Sequence, residues 1–358
     1  MDLDDVPEVD EFLGRLGLGP FERASLSAPV GRNDAWAGRT RSGRKVFVKR
    51  LLGQPGDVRE RMRRLLSFER FRTTLPAGAV RTPRFLGADE TFGLVVFDHL
   101  DEAVNGAEMM VDETFDDQLS FEVGRTIGRI HAAVPEDPDG FDTTLPALPS
   151  TSLLRGMSQQ MFEGLSFAGL EAWHLMQGDR GVVEAIAALA TEESRAPRVP
   201  SHCDLRVDQL LVVRGHLYVA DWEEFRLADP ARDVGSFAGE WLYRSVLDIV
   251  TARGDTAFAD VELTHELILD RGTQKLDRLR PRVRHFWSGY LETAPAADDG
   301  LIERATAFAG WHLLDRLIAG SAQRSRVSGI ERAAAGIGRS ALLSPRRFAA
   351  AIGLGEAA

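Results

Sequence analysis

Three polar side chains near the middle of the chain have the types and spacing that phosphoryl transfer requires. Asp204 lies in a His-x-Asp loop, where its carboxylate can accept the proton of a hydroxyl group. Gln209, five residues further on, and Asp221, which follows a short apolar run, can bind a divalent cation. These residues predict a proton acceptor and a metal site.

Two short apolar runs explain how these side chains would come together. The runs are Leu210–Val213 and Leu217–Ala220, and Arg-Gly-His lies between them. Two such runs around a short glycine-containing turn predict a β-hairpin. The hairpin would return Asp221 to the loop that holds Asp204.

A lysine in the first part of the chain is suited to bind phosphates. In the run Lys45–Lys49, strand alternation puts Phe47 and Lys49 on one face and two valines on the other. We therefore expect the ammonium group of Lys49 to lie inside a cleft.

Two more strands are predicted before this lysine, over Leu26–Val30 and Ala35–Thr40. Pro29 confines the first of them to a sheet edge, because proline has no backbone N–H to donate. The connection Gly31-Arg-Asn-Asp, which contains Asn33, is a loop able to lie over phosphates.

A helix is predicted to begin near Pro55. Its apolar stripe recurs every three or four residues and also contains an acid, at Val58, Met62, Leu65 and Glu69. A carboxylate on a buried stripe needs a cationic partner, and Lys49 is the expected one for Glu69. Glu60 on the same helix is an alternative.

Taken together, these segments resemble the aminoglycoside phosphotransferase and choline kinase superfamily over nearly the whole chain. The segments that carry the resemblance are Gly31-Arg-Asn-Asp-Ala-Trp, Val48-Lys49, Gly93-Leu-Val-Val-Phe-Asp98, Ile127-Gly-Arg-Ile-His131, His202-Cys-Asp204, Asp221-Trp-Glu and Asp229-Pro-Ala-Arg-Asp233. The resemblance implies an α+β, bilobal protein-kinase-like fold with a small antiparallel-sheet N-lobe and a larger helical C-lobe. It places the N-lobe at 1–97, the hinge at 98–101 and the C-lobe at 102–358.

The resemblance also implies transfer of the γ-phosphoryl group of ATP with Mg²⁺. Gly31, Asn33, Phe47, Lys49, Glu69 and Asp98 would then contact the nucleotide or organise its site, and Asp221, Gln209 and Asp208 would hold the metal. The chain departs from the superfamily pattern in three places: a glutamine at 209 where asparagine is usual, a phenylalanine at 47 where a small residue is usual, and a single glycine in the phosphate loop.

A narrower resemblance concerns the kinase-like subunits of class V lanthipeptide and thioamitide assembly. It is carried by 204–210, 221–227 and 239–243. It implies phosphorylation of Ser or Thr in a ribosomal precursor peptide, followed by phosphate elimination by a separate lyase subunit. Two alternatives stay open: a kinase of a small molecule such as an aminoglycoside or amino alcohol, and a pseudokinase that binds peptide or a partner without transfer.

Arginine is concentrated on the predicted helix, which carries six of them, at 59, 61, 63, 64, 70 and 72. They predict either a solvated helix face or a docking surface for an acidic peptide or a phosphate-rich ligand. Arg206, two residues after Asp204, can neutralise charge on the transferred phosphoryl group or form an ion pair with Asp208 or Glu224.

Three further residues are predicted to support the loop around Asp204. Asp233 would accept hydrogen bonds from the amides of the loop, and His202 would fix it by bonding to its backbone. His131 is predicted to be a structural histidine.

The C-terminal part of the chain is predicted to be mostly helical. One helical face combines Leu119, Val123, Ile127 and Ile130, while Gly124 and Gly128 allow close approach of a neighbouring helix. Two helices are predicted between Ser152 and Glu193, and several more after Asp260.

Composition limits the classes of protein and partner. The chain has 358 residues, 44% of them hydrophobic, which is ample for sizeable cores. A formal charge of −11 argues against nucleic acid or an anionic membrane as a partner. The single cysteine, Cys203, excludes an internal disulfide. The absence of a long apolar run and an acidic start unlike a signal peptide predict a cytoplasmic protein.

Overall fold

The structure, a computed structural model, describes residues 2–29, 31–251, 265–294, 298–322 and 324–355. Within these ranges the helices are α1 Pro7–Arg15, α2 Pro55–Phe71, α3 Gly106–Val111, α4 Asp117–Ala132, α5 Thr151–Arg155, α6 Gln159–Gly164, α7 Phe167–Gln177, α8 Arg180–Arg195, α9 Ala231–Leu247, α10 His265–Thr293, α11 Leu301–Ser321, α12 Gly329–Leu343 and α13 Pro345–Ile352. The strands are β1 Asp34–Arg39, β2 Lys45–Arg50, β3 Phe85–Asp89, β4 Leu94–Asp98, β5 Val104–Asn105, β6 Val199–Ser201, β7 Leu210–Val213, β8 His216–Val219 and β9 Arg226–Ala228.

The chain divides into two compact units, and each contains one part of the predicted chemistry. The first unit comprises Met1–Val111, Pro135–Asp142 and Asp208–Arg226. The second comprises Asp112–Val134, Thr143–Val207 and Leu227–Ala358. Lys49 and Asp221 therefore belong to the first unit, and Asp204 to the second.

The first unit is built on a four-stranded antiparallel sheet with the order β1-β2-β4-β3. Val46 and Val48 of β2 are fully buried in its hydrophobic core, and Phe47 and Lys49 lie on the opposite face and are less buried. The alternation predicted for this strand is thus confirmed.

The prediction of a strand over Leu26–Val30 is wrong. Only an isolated bridge between Ser27 and Ala37 forms there, and Val30 lies outside the described residues. Pro29 has no N–H to continue the ladder, which accounts for the short pairing.

The predicted hairpin is confirmed within the first unit. Strands β7 and β8 pair antiparallel, with Leu210 opposite Val219, and β5 pairs on the other side of β7. Arg214 and Gly215 make the turn with φ of 50° and 78°, the two positive values that a tight hairpin turn of this twist requires. The second strand starts one residue earlier than predicted.

The second unit contains a close pairing of α4 with α10. A Cβ atom on Gly124 would lie 1.9 Å from the carbonyl oxygen of Phe286, and one on Gly128 would lie 2.7 Å from that of Tyr290. Both positions therefore require glycine, as predicted from the sequence. Strands β6 and β9 form a separate two-stranded sheet.

Four helices, α5 to α8, fill the region where two were predicted. Each begins at its own capping residue, whose side chain accepts a hydrogen bond from a backbone N–H of the first turn: Ser150, Ser158, Ser166 and Asp179. These caps divide the region into four helices. None of the helices within the described residues is long and apolar enough to cross a membrane.

Candidate active site

Lys49 lies in a network of opposite charges in the first unit. Its Nζ is 2.5 Å from Oδ1 of Asp221 and 2.8 Å from Oε2 of Glu223. The Lys49 side chain is only 12% exposed. Burial opposes its charged form, but the two carboxylates outweigh this effect, so the pKa of Lys49 is raised. Lys49 therefore keeps its positive charge beside Asp221.

Arg61 of α2 supplies a second cation to this network. Its side chain is fully buried, and its Nη2 lies 2.7 Å from Oε1 of Glu223 and 2.9 Å from Oδ1 of Asn33. Its Nη1 donates to the carbonyl of Leu52 at 2.9 Å and lies 3.3 Å from Asp57. The guanidinium thus connects Asn33 before β1, Leu52 after β2, helix α2 and the segment after Asp221.

The predicted pairing of Glu69 with Lys49 is wrong. Glu69 accepts a hydrogen bond from Nε of Arg72, the residue that caps the C-terminus of α2, at 2.5 Å. Burial raises the pKa of the Glu69 carboxyl, and this arginine opposes the shift. Arg72 is thus the cationic partner of Glu69, and Lys49 pairs with the carboxylates that follow β8. A nucleotide role for Glu69 stays a prediction.

Aromatic stacking holds the segment after Asp221 against α2. The rings of Phe68 and Trp222 are parallel, with centroids 3.8 Å apart, and Phe225 packs edge-on to both. This packing fixes the position of Glu223, which lies between the two aromatic residues of its own segment and faces Arg61.

The predicted metal ligands Asp208, Gln209 and Asp221 occupy the two ends of the β7–β8 hairpin. The backbone N–H of Ala220 donates to the carbonyl of Gln209 at 2.9 Å, which ties these ends together. The Gln209 amide nitrogen donates to Oδ1 of Asp208 at 3.2 Å, so its amide oxygen remains the acceptor of that group. Asp221 adopts φ 61° and ψ 56°, a left-handed conformation that is strained for a non-glycine residue.

This donor set fits a hard divalent cation, because it consists of two carboxylates and an amide oxygen. No group of three or more His, Cys, Asp or Glu side chains with metal-site geometry exists among the described residues. The fit therefore depends on Gln209 acting together with the acids.

The other predicted nucleotide residues lie in the same unit. Asn33 accepts hydrogen bonds from Leu52 N–H and from Arg61, which fixes the start of β1. Gly31 is exposed, and a Cβ atom there would meet nothing closer than 3.9 Å. Phe47 pairs with Phe97 across the sheet, and Asp98 accepts two hydrogen bonds from Arg44, at 2.6 and 2.9 Å.

The arginines of α2 are mostly used inside the protein. Arg61 is buried, and Arg64 lies 2.6 Å from Asp142 and 3.1 Å from Glu224. Arg63 pairs with Glu60 and Arg72 with Glu69. Four of the six arginines therefore have carboxylate partners within their own unit, which weakens the expectation of a docking surface for an acidic ligand.

In the second unit, Asp233 holds the loop that contains Asp204. Its two carboxylate oxygens accept hydrogen bonds from the backbone N–H groups of His202 and Cys203, both at 2.7 Å. His131 contacts the same carboxylate at 3.1 Å and Tyr290 at 3.0 Å. Burial opposes the charged form of Asp233, but these partners prevail and its pKa is lowered. The predicted role of Asp233 in supporting the loop is confirmed.

Asp204 itself lies at the surface end of this loop, with a carboxylate 39% exposed. Its backbone N–H donates to Nδ1 of His202 at 3.3 Å, in agreement with the role predicted for that histidine. Nε of Arg206 lies 3.0 Å from Oδ1 of Asp204. Cys203, between them in the loop, has a φ of 64°. The loop therefore presents a carboxylate with an adjacent guanidinium, a combination able to accept a proton and to stabilise negative charge.

Arg61 and Glu223 are the residues that sequence reasoning missed. Arg61 follows Asp57 by one helical turn and is next to Met62, outside the predicted buried stripe. Its position in the sequence is therefore that of an arginine on a solvated helix face. The charge of Glu223, two residues after Asp221, was the available signal, since a carboxylate next to a buried tryptophan requires a partner.

Comparison with known proteins gives the family. Residues 32–280, more than half of the chain, match the phosphotransferase enzyme family. No curated protein matches the sequence.

Solved structures with the same fold include three kinases. A choline kinase from Streptococcus pneumoniae has 14% identity and a TM-score of 0.51, over 94% of this chain and 98% of that one. An ADP-bound aminoglycoside phosphotransferase has 13% identity and a TM-score of 0.52, over 98% and 99%. An amicoumacin kinase in complex with AMP-PNP and Ca²⁺ has 13% identity and a TM-score of 0.53, over 94% and 93%.

These similarities confirm the α+β, bilobal protein-kinase-like fold expected from the sequence. The chain belongs to the phosphotransferase enzyme family and is a phosphotransferase that acts on hydroxyl groups.

Proposed function

We propose that this protein transfers the γ-phosphoryl group of ATP to a Ser or Thr hydroxyl of a ribosomal precursor peptide. The observation that supports a nucleotide site is the network around Lys49. Its buried, charged ammonium group contacts the carboxylates of Asp221 and Glu223, and it can exchange them for phosphate oxygens. Lys49 would then orient the α- and β-phosphates.

Asp221 and Gln209, with Asp208 beside them, would hold Mg²⁺. The bound cation would neutralise phosphate charge. The chain's own contribution is the fixed position of these oxygens, since the link between Ala220 and Gln209 and the packing of Trp222 restrain both ends of the hairpin.

Asp204 would act as the proton acceptor. The hydroxyl oxygen forms a bond to the γ-phosphorus, the bond from that phosphorus to the bridging β–γ oxygen breaks, and ADP leaves. The hydroxyl proton passes to the Asp204 carboxylate. Arg206, 3.0 Å from that carboxylate, would stabilise charge on the transferred group.

The choice of a peptide as acceptor rests on the resemblance of 204–210, 221–227 and 239–243 to kinase-like subunits of class V lanthipeptide assembly. A peptide held by its leader segment is present at high effective concentration, so a weakly recognised hydroxyl can still react. A separate lyase subunit would then eliminate the phosphate. Because four of the six arginines predicted on this helix pair with carboxylates, the leader would be recognised mainly by another surface. A cytoplasmic location is part of this proposal.

The test is a reaction of the purified full chain with Mg-ATP and the short peptide encoded next to its gene, followed by mass spectrometry. We expect a peptide heavier by one phosphate, which converts to the dehydrated peptide only when the lyase is added. Asp204→Asn serves as the matched control and should give no phosphopeptide.

Two other results would each replace the peptide proposal. Phosphorylation of an aminoglycoside or amino alcohol, with no reaction on neighbouring peptides, would assign a small-molecule acceptor. Failure of millimolar Mg-ATP to raise the melting temperature with any divalent cation would indicate a pseudokinase.

A further inference from the structure

A buried carboxylate shared by two cations lies in the first unit, and the sequence motifs assign it no role. Glu223 is 8% exposed, and its oxygens lie 2.8 Å from Nζ of Lys49 and 2.7 Å from Nη2 of Arg61. An unpaired carboxylate at this depth would be strongly destabilising, so Glu223 needs at least one cation at all times.

The proposed reaction makes a conflicting demand on one of these cations. Lys49 also contacts Asp221 at 2.5 Å, and it must turn towards phosphates when a nucleotide binds. Glu223 would oppose that movement if Lys49 were its main source of positive charge.

Arg61 resolves the conflict, because it is placed to remain with Glu223. The guanidinium is fixed by the carbonyl of Leu52 and by Asn33, and its side chain is fully buried. Its two terminal nitrogens have acceptors from separate elements, which a rigid fork can serve at the same time.

We propose that Arg61 is a positioning residue: it is the permanent counterion of Glu223, and it thereby frees Lys49 to bind the phosphates of the nucleotide. This inference rests on the proposed function for its consequence, but the sharing of Glu223 is a property of the unliganded protein. Through Asn33, the same guanidinium also holds the loop expected to cover the phosphates.

The first experiment measures nucleotide affinity by isothermal titration calorimetry with Mg-ADP. Arg61→Met should weaken binding by about 10- to 100-fold, the equivalent of one charged hydrogen bond, because Glu223 then retains Lys49. The double variant Arg61→Met/Glu223→Gln should recover most of this loss, since the competing carboxylate is gone. Arg70→Met, an exposed arginine on the same helix, is the matched control and should bind like the wild type.

Recovery in the double variant would show that the loss in Arg61→Met comes from the uncompensated charge of Glu223 and not from the absence of the arginine itself. Unchanged affinity in Arg61→Met, or a double variant no better than the single one, would overturn the inference.

A second experiment needs no nucleotide. Urea unfolding of Lys49→Met, Arg61→Met and the double variant should show a loss larger than the sum of the single losses, because Glu223 then has neither cation. Additive losses would overturn the inference. If the wild type bound no nucleotide, the proposed function would fail, and this cycle would still decide whether Glu223 is shared.

Discussion

The two loops that carry the predicted chemistry are held in different ways. Around Asp221, side chains of opposite charge contact one another, with Lys49 and Arg61 facing Asp221 and Glu223. Around Asp204, the fixed points are backbone N–H groups bound to the carboxylate of Asp233. The first arrangement consists of ion pairs between side chains, and the second is a clamp on the main chain.

This difference indicates which loop is built to change partners. A cation paired with carboxylates can move to a phosphate at modest cost, because one anionic partner replaces another. A buried carboxylate that accepts two amide hydrogens and contacts His131 has no such substitute. Ligand binding should therefore rearrange side chains near Lys49 and leave the Asp204 loop unchanged.

The largest expected effect is the loss of catalytic rate caused by Asp204→Asn. The substitution keeps the shape of the side chain but removes the proton acceptor, so we expect kcat to fall by about 10²- to 10⁴-fold. The phosphopeptide assay with saturating ATP measures this change. Loss of nucleotide affinity of similar size would contradict the separation of the two loops.

Asp233→Ala should destabilise the folded protein by about 3–5 kcal/mol, because it removes the acceptor of two loop amides and of the buried His131. Urea unfolding followed by circular dichroism measures the change. An unaltered unfolding midpoint would show that the clamp does not matter for stability.

Acid titration sharpens this prediction. The folded pKa of Asp233 is lowered, whereas an unfolded Asp titrates near pH 3.9. The stability that this carboxylate contributes is therefore present above about pH 4 and is lost as the pH falls towards its folded pKa. Wild type should lose more stability than Asp233→Ala across this acidic range.

Gly124→Ala should cost about 1–3 kcal/mol or more, because the new methyl group would lie 1.9 Å from the Phe286 carbonyl and force α4 away from α10. Since α4 carries His131, this separation should also weaken the clamp. Gly336→Ala is the control: it lies at an exposed position of α12 with nothing within 4 Å, and alanine should stabilise the helix by about 0.5–1 kcal/mol. Equal effects of the two substitutions on the melting temperature would contradict the packing argument.

The smallest effect is expected at the Arg44–Asp98 pair on the sheet. Both side chains are about one-third exposed, so Arg44→Ala should change the free energy of unfolding by about 0–1 kcal/mol. Chemical unfolding checks this value. A loss comparable to that of Asp233→Ala would contradict the expectation that a buried carboxylate contributes more to the free energy of unfolding than an exposed ion pair.

Sequence reasoning predicted the local elements around both loops. Strand alternation gave the two faces of β2, the Arg-Gly turn gave the β7–β8 hairpin, and the spacing of Gly124 and Gly128 gave the face of α4 that contacts α10. Asp233 was predicted to accept the loop amides, and it does. Each of these inferences depends on near neighbours in sequence or on backbone geometry.

The partners of buried charges could not be predicted in this way. The sequence predicts Lys49 as the partner of Glu69, whereas the structure pairs Glu69 with Arg72, three residues away. Arg61 was counted with exposed arginines, although it is fully buried against Glu223, 162 residues later. Tertiary packing decides which of several cations reaches a carboxylate, and periodicity on one helix carries no information about it.

Titration of Mg-ATP into Asp221→Asn and Asp204→Asn tests the central claim most directly. The account predicts that Asp221→Asn loses metal-dependent nucleotide binding, because Asp221 belongs to the exchangeable network around Lys49. It predicts that Asp204→Asn binds Mg-ATP like the wild type and fails only in transfer. If both variants lost affinity equally, or if both kept it, the division of roles between the two loops would be contradicted.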